Sequence, residues 1–186
     1  KRAWYYPKNN ETMHEAVQRE SKAARESAGI LDASTLGKID IQGTDASEFL
    51  NRVYTNAWSK LAIGKCRYGL MLNEDGMVYD DGVTTRLDEN HYIMTTTTGG
   101  AANVLGKLED YLQTEWPELD VYLSSVTDHY ATASICGPNS KKILKKLAPD
   151  LDLSDENFPH MSFKNAKIDN IKCRIMRISF TGEHSY

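Results

Sequence analysis

Cysteines are few in this sequence, and no two of them lie close together. The three cysteines, Cys66, Cys136 and Cys173, are odd in number and widely spaced, which is typical of neither a metal site nor a redox motif. The five histidines contain no pair at helical i, i+4 spacing, so we expect no metal site. Buried, reduced thiols in a reducing compartment are the simplest interpretation, and we expect a cytoplasmic protein.

Long apolar runs and an excess of positive charge are also absent. No run approaches the roughly 20 apolar residues that span a bilayer, and the first ten residues lack the apolar core of a signal peptide. The 22 Lys and Arg residues are outnumbered by 26 Asp and Glu residues, without a basic stripe. The sequence therefore predicts no membrane and no nucleic-acid partner, and KKILKK at 141–146 is interpreted as a solvated helix face.

What the sequence does contain is a mixture of helical and strand patterns. Capping pairs at Thr12/Glu15 and Asp45/Glu48 predict two helix starts, and Gly29 is a natural stop for the first helix. Further helices are predicted after Gly99 and Gly137. Strands are predicted around Ile39 and Ile41 and at 67–73, 77–86, 91–98, 119–126, 130–136, 161–168 and 171–179. Because hairpin-length connections dominate, we expect an α+β fold with largely antiparallel sheets and helices on one face.

The segment YGLMLNEDGMVYDDGVTTRL, residues 68–87, raises the main chemical question. Asp80 and Asp81 are adjacent on a predicted strand, so their side chains point to opposite faces. Adjacent aspartates of this kind more often have a structural role, with one Asp in solvent and the other in a turn or bulge beside Gly82. The alternative is that the inward Asp binds a ligand. TTTTGGAA at 95–102 is only a weak nucleotide-loop candidate, since it lacks the lysine of a Walker motif.

An ordered set of motifs carries a resemblance to a known family. DASTLGK at 32–38, Tyr68 ahead of ML, the DD pair, Gly137-Pro138 before a helix, and FTGE at 180–183 follow one another in this order. Together they resemble the folate-binding region of the aminomethyltransferase (glycine-cleavage T-protein) family. Within it, KRAWYYP at the start, YTNAW, MTTTTGGAA and LQTEWP look most like the branch of heterotetrameric sarcosine oxidase alpha subunits.

The resemblance implies roles for five residues. The second aspartate of DD, which touches the reactive nitrogens of tetrahydrofolate in the family, falls on Asp81. The tyrosine that lines the folate falls on Tyr68, and the family's pteridine-facing asparagine is replaced by Thr97. Phe180 takes the position of a stacking tyrosine, and Thr85 that of a second tyrosine. These three departures agree with the sarcosine oxidase branch rather than with aminomethyl transfer from a lipoyl protein.

The implied function is capture of a one-carbon unit. The unit released by oxidative N-demethylation of sarcosine would be taken up by tetrahydrofolate as 5,10-methylenetetrahydrofolate. FAD, FMN and NAD sites would belong to other segments of the alpha chain or to the other sarcosine oxidase subunits, which are the expected partners. Three alternatives remain open: an aminomethyltransferase or dimethylglycine oxidase module, a non-catalytic assembly module, and a folate-binding domain of tRNA-modifying proteins, which the acidic balance disfavours.

The resemblance also implies an organisation of the chain. We expect residues 1–60 to form the first half of the folate-binding domain, 61–150 a ferredoxin-like antiparallel αβ subdomain, and 151–186 a return segment to the first half. The chain starts without methionine and stops directly after RIMRISFTGEHSY, so we expect a fragment of something longer. In the family, the glutamate that grips the amino end of the pterin lies just past the position of Tyr186.

Overall fold

The α-helices and β-strands alternate along the chain as the sequence patterns predict. A computed structural model describes residues 5–186, so the first four residues of KRAWYYP lie outside the described residues. The helices are α1 (Met13–Glu26), α2 (Ala46–Val53), α3 (Ala101–Thr114) and α4 (Ser140–Leu147). The strands are β1 (Gly29–Asp32), β2 (Gly37–Gln42), β3 (Cys66–Leu72), β4 (Val78–Asp88), β5 (His91–Thr96), β6 (Tyr122–Ser125), β7 (Ala133–Cys136), β8 (Ser162–Ile168) and β9 (Ile171–Arg177).

Every pairing between these strands is antiparallel, which confirms the predicted α+β class. In the part of the chain that the structure describes, no helix is both long and apolar enough to cross a bilayer.

The chain divides into two compact units. One contains the residues up to Ala33 together with Thr132–Tyr186, and the other contains Ser34–Ala131. We call them the outer-segment unit and the central unit. This division differs from the expected domain boundaries at residues 60 and 150, which stay a prediction.

The central unit is built on a five-stranded sheet with the strand order β3-β4-β5-β2-β6. Its core contains alternate residues of β2 and β5, which pair across the two strands as Ile39 with Met94 and Ile41 with Tyr92. Apolar residues of α2 and α3 join the same cluster, among them Phe49, Leu50, Val104 and Leu108. Because alternate strand residues share a face, the helices fix which face of the sheet is covered within this unit.

The outer-segment unit contains two two-stranded sheets, β1-β7 and β8-β9. Its core collects Leu144 and Ala148 around α4, Phe158, and Ile175 of β9. Tyr186 belongs to the same core, and its backbone exchanges two hydrogen bonds with Ile135, of 2.8 and 2.9 Å. The residues after β9 therefore return to the free side of β7.

The two predicted helix starts behave differently. Thr12 and Glu15 form the predicted capping box, with the Glu15 N–H donating to Thr12 Oγ1 at 3.3 Å and the Thr12 N–H donating to Glu15 Oε2 at 2.9 Å. Asp45 takes the predicted N-cap position of α2 but makes no side-chain capping hydrogen bond, because its φ of −100° and ψ of 10° depart from the extended backbone that such a bond requires. Its carboxylate instead accepts the Asp120 N–H at 2.9 Å.

One strand was missed. Gly29 was predicted to end the first helix, but α1 ends at Glu26 and Gly29 begins β1. β1 has only four residues, and three of them are exposed, so it lacks the apolar alternation that indicates a strand. Pairing with β7, more than a hundred residues along the chain, defines it.

Candidate functional site

The β3–β4 hairpin brings Tyr68 and Asp81 into direct contact. Strand pairing sets Leu70 opposite Asp81 and Tyr68 opposite Val83, so Tyr68 and Asp81 are diagonal neighbours on one face of the sheet. The Tyr68 hydroxyl donates a hydrogen bond to Asp81 Oδ2 at 2.6 Å. Tyr68 is 48% exposed, so the pair lies at the surface of the central unit.

The hydrogen bond to the Asp81 carboxylate raises the pKa of the Tyr68 phenol, with smaller contributions from burial and from the negative charge of Asp81. Because an ordinary tyrosine already titrates near 10, Tyr68 remains a protonated donor at neutral pH. One oxygen of the Asp81 carboxylate therefore accepts a hydrogen bond from a hydroxyl that stays protonated at neutral pH.

The neighbouring Asp80 points to the opposite face and is only 5% exposed. Its carboxylate accepts two hydrogen bonds from Thr97, one from the backbone N–H at 3.2 Å and one from the hydroxyl at 2.6 Å. Thr97 directly follows β5. Asp80 thus ties the middle of β4 to the turn between β5 and α3, and this explains why a half-buried strand keeps two adjacent aspartates.

The backbone beside Asp81 allows β4 and β5 to approach closely. A Cβ atom at Gly82 would lie 1.8 Å from the carbonyl oxygen of Thr95. The Thr95 hydroxyl bonds the backbone of Val83 twice, accepting from its N–H at 2.9 Å and donating to its carbonyl at 3.2 Å. Only glycine fits at position 82 without moving β5, and its presence fixes the strand that carries Asp81.

Comparison with known proteins identifies the family. A family model described as the GCVT N-terminal domain matches residues 1–186. The chain belongs to this family. The sequence is 57% identical over 187 residues to sarcosine oxidase subunit alpha of Corynebacterium sp. (strain U-96), and the match covers 100% of this chain and 19% of that relative. It is 33% identical to the aminomethyltransferase of Thermoanaerobacter sp. (strain X514), over 92% of this chain and 45% of that protein.

Two solved structures share the fold of this chain. The glycine cleavage system aminomethyltransferase T from Bartonella henselae superposes with a TM-score of 0.77 at 25% identity, over 91% of this chain and 44% of that one. A chain of the heterotetrameric sarcosine oxidase from Corynebacterium sp. U-96 gives a TM-score of 0.60 at 16% identity, over 92% of this chain and 80% of that one. The chain spans about a fifth of the length of its sarcosine oxidase alpha relatives.

Of the five predicted site residues, Thr85 is buried and Phe180 belongs to the outer-segment unit. Thr85 is 1% exposed, and its hydroxyl donates to Cys66 Sγ at 3.3 Å. It offers a ligand no surface in this structure, because the strand pairing of Thr85 with Cys66 buries both side chains. Phe180 lies in the outer-segment unit and is 88% exposed. Tyr68 and Asp81 are the predicted residues that the structure brings together.

Sequence reasoning missed Tyr54 as a residue of this region. Tyr54 is buried, and its hydroxyl has no hydrogen-bond partner within residues 5–186. Burial raises its pKa, and the charges of Asp80 and Asp81 raise it further. In the sequence, Tyr54 follows Val53 as one more apolar residue of a predicted helix. Nothing in that pattern distinguishes it from a core residue of the GCVT N-terminal domain.

Proposed function

We propose that this chain is the tetrahydrofolate-binding module of a sarcosine oxidase alpha subunit. In this proposal it captures the one-carbon unit from oxidative N-demethylation of sarcosine as 5,10-methylenetetrahydrofolate. The relatives at 57% and 50% identity are sarcosine oxidase alpha subunits, which supports the proposed enzyme. The observation that carries the site is the Tyr68–Asp81 hydrogen bond at the surface of the central unit.

The residues of the site fit a reduced pterin. Asp81 Oδ2 accepts from Tyr68, whereas Asp81 Oδ1 has no hydrogen-bond partner among the described residues. A carboxylate with one open oxygen can accept a hydrogen bond from a ring N–H of a ligand, and such charge-assisted bonds are short and strong. The half-exposed ring of Tyr68 offers an apolar surface beside it for a flat heterocycle.

Each residue then has a definite task. Tetrahydrofolate, when bound, supplies the nucleophilic nitrogens that take up the one-carbon unit. Asp81 orients the N–H group that it accepts from, and it can receive the proton that leaves this nitrogen. Tyr68 holds the carboxylate in place, and Thr97 offers a further polar contact. The stacking role of Phe180, which belongs to the outer-segment unit, stays a prediction from the resemblance.

The oxidation itself is assigned to other parts of the enzyme. We propose that FAD, FMN and NAD sites lie in other segments of the alpha chain or in the other sarcosine oxidase subunits, which are the proposed partners. One relative of the same fold is described as a heterotetrameric sarcosine oxidase, which supports an assembly of this kind.

The test is to follow the carbon of the sarcosine N-methyl group in the assembled enzyme. We expect Asp81→Asn to oxidise sarcosine at the wild-type rate but to release the carbon as free formaldehyde, with little 5,10-methylenetetrahydrofolate formed. Asp110→Asn is the matched control, since Asp110 is an exposed residue of α3 in the same unit. Wild-type yields of methylenetetrahydrofolate from the Asp81 variant would refute the assignment.

A second candidate is an aminomethyltransferase of the glycine cleavage system. It is supported by the Bartonella henselae aminomethyltransferase T, with a TM-score of 0.77, and by the 33% identical aminomethyltransferase of Thermoanaerobacter sp.. It would require transfer from an aminomethylated lipoyl protein to tetrahydrofolate. Folate-dependent ammonia release from that donor would support it, and release only with sarcosine as donor would support the sarcosine oxidase module.

A further inference from the structure

The outer edge of β3 is bonded to residues 54–58, which we call the edge segment. β3 is an edge strand of the central sheet, with β4 on its inner side. The Thr55 N–H donates to the Leu70 carbonyl at 2.9 Å, and the Leu70 N–H donates to Thr55 Oγ1 at 3.0 Å. The side-chain amide of Asn56 donates to the Tyr68 carbonyl at 2.6 Å. The edge segment therefore binds the backbone of β3 at two alternate residues.

These two residues of β3 frame Asp81. Leu70 lies directly opposite Asp81 in the strand pairing, and the hydroxyl of Tyr68 donates to the Asp81 carboxylate. At the edge of a sheet the outward backbone groups have no neighbouring strand to pair with. The bond from Asn56 to the Tyr68 carbonyl therefore restrains the same residue whose side chain holds Asp81.

Two buried aromatic side chains hold the edge segment in place. Tyr54 and Trp58, its first and last residues, are buried, and their ring centroids lie 6.3 Å apart. Both pack against Gly69, where a Cβ atom would lie 2.5 Å from Trp58 Cζ2 and 3.3 Å from Tyr54 Cδ1. Gly69 stands between Tyr68 and Leu70, so the absence of its side chain lets the edge segment approach β3 beside these two residues.

The backbone of Asn56 is strained. Its φ of 95° lies in a region that residues other than glycine rarely adopt, although asparagine enters it more often than most. Strain of this kind persists where the surrounding contacts impose it, and such residues are frequent at functional sites. Here the buried rings of Tyr54 and Trp58 on either side impose it, and in this conformation the Asn56 amide reaches the Tyr68 carbonyl.

We propose that Asn56 is a positioning residue that fixes Tyr68 at the edge of the sheet and, through Tyr68, orients the carboxylate of Asp81. This role rests on the proposed function, in which the Tyr68–Asp81 pair binds the folate. Asn56 acts through the backbone of Tyr68 alone. Without its amide, the edge of β3 is less restrained and the Tyr68 hydroxyl holds Asp81 less firmly.

Asn56→Gly is a sharp test because it removes the amide without adding strain. Glycine adopts a positive φ readily, so the edge segment can keep its conformation while the bond to Tyr68 is lost. Asn170→Gly is the matched control. Asn170 also has a positive φ, of 68°, and it lies in the turn between β8 and β9 of the outer-segment unit.

The first measurement needs no ligand. The titration of the Tyr68 phenol is recorded by difference absorbance, against Tyr68→Phe in each background. The hydrogen bond to Asp81 raises the pKa of Tyr68, so we expect Asn56→Gly to lower this pKa towards the ordinary value of about 10. Asn170→Gly should leave it unchanged. A purely structural role for Asn56 predicts a lower melting temperature with an unaltered titration.

The second measurement is calorimetric titration of the full-length protein with folinic acid. We expect Asn56→Gly to lower the affinity by about two- to fivefold, no more than the loss of the Tyr68 hydroxyl itself. Asn170→Gly should keep the wild-type affinity. In a Tyr68→Phe background, Asn56→Gly should cause no further loss, because the two residues act through one hydroxyl.

The outcomes separate this role from the proposed function. An unaltered Tyr68 titration, or wild-type affinity for folinic acid, in folded Asn56→Gly would overturn the role of Asn56 while leaving folate binding in place. Failure of the wild-type protein to bind folinic acid would overturn the proposed function, whereas the Tyr68 titration would still decide whether Asn56 positions Tyr68.

If Asn56→Gly does not fold, Asn56→Asp takes its place. Aspartate also tolerates a positive φ, but its carboxylate has no proton to donate to the Tyr68 carbonyl. Its loss of affinity should vanish in a Tyr68→Phe background. A loss that persists there would come from the added charge and would overturn the role of Asn56.

Discussion

The hydroxyl of Tyr68 donates to Asp81 Oδ2 at 2.6 Å, while the carboxylate of the adjacent Asp80 is bound on the other face of the strand by Thr97. Two neighbouring aspartates are thus held by two different partners, one at the surface and one in the interior. This division separates the residue that can bind a ligand from the residue that secures the strand.

Tyr68→Phe tests whether the hydroxyl positions Asp81. The ring is half exposed, so we expect the free energy of unfolding to change by less than about 0.5 kcal/mol. Affinity for folinic acid should fall by at least about fivefold, because the hydrogen bond that holds the Asp81 carboxylate contributes at least about 1 kcal/mol. Tyr122→Phe is the control, since Tyr122 also bonds an aspartate, Asp120, in the same unit. Equal affinities for both variants would show that the Tyr68 hydroxyl is dispensable.

The raised pKa of Tyr68 gives a spectroscopic test of the same contact. The hydrogen bond to Asp81 is its first cause, so Asp81→Asn should lower the pKa of Tyr68 towards the ordinary tyrosine value of about 10. Difference absorbance of phenolate formation, measured against Tyr68→Phe in each background, isolates this one tyrosine. An identical titration with and without the Asp81 carboxylate would contradict the hydrogen bond.

Tyr54→Phe should be tolerated at neutral pH. The buried hydroxyl of Tyr54 has no hydrogen-bond partner within the described residues, so removing it relieves the cost of burying an unpaired polar group, which is about 1–3 kcal/mol. We expect an unchanged or higher melting temperature. Phe49→Ala, which empties the core beside α2, should instead destabilise by about 3–5 kcal/mol. A marked loss of stability in Tyr54→Phe would reveal a bonded hydroxyl.

Tyr54 also predicts the alkaline limit of stability. Its pKa is raised in the folded state, so above about pH 10 the unfolded chain loses this proton while the folded chain keeps it. The contribution of Tyr54 to the free energy of unfolding should therefore not change with pH below about pH 9. It should fall as the pH rises beyond about 10, by at most about 1.4 kcal/mol per pH unit. Denaturant unfolding across this range should show a shallower decline in Tyr54→Phe, and parallel curves would contradict the assignment.

Two glycines provide a matched pair for the geometry around Asp81. Gly82→Ala places a Cβ atom 1.8 Å from the Thr95 carbonyl oxygen, and we expect a loss of at least about 1–3 kcal/mol from overpacking. Gly106→Ala, inside α3 with nothing within 4 Å of its Cβ position, should stabilise by up to about 1 kcal/mol. Thermal unfolding distinguishes them, and similar effects of both substitutions would mean that β4 and β5 are farther apart.

The sequence predicted the elements with strong periodicity well. The hairpin from Cys66 to Asp88 was recognised within two residues at each end, because its strands are long and the turn NEDG is distinctive. β1 was missed because its pairing with β7 depends on distant residues. Local spacing likewise could not show that Asp45 would bond the backbone of Asp120 rather than cap α2.

The candidate site was only partly predictable for similar reasons. Asp81 and Tyr68 were found through motif resemblance, and strand pairing explains their contact. The burial of Thr85 follows from its register opposite Cys66, which no single-strand pattern shows. The hydrogen bonds between Asp80 and Thr97 join residues of β4 and the end of β5, so only the assembled sheet shows that Asp80 is committed to the interior.

The most direct test of the central claim is a calorimetric titration of the full-length protein with folinic acid, with Asp81→Asn measured beside the wild type. The account predicts that the wild type binds and that the variant, with an unchanged melting temperature, loses at least about tenfold in affinity, as expected for a hydrogen bond to a charged group. Equal affinity of the two proteins would contradict the claim that Asp81 holds the folate.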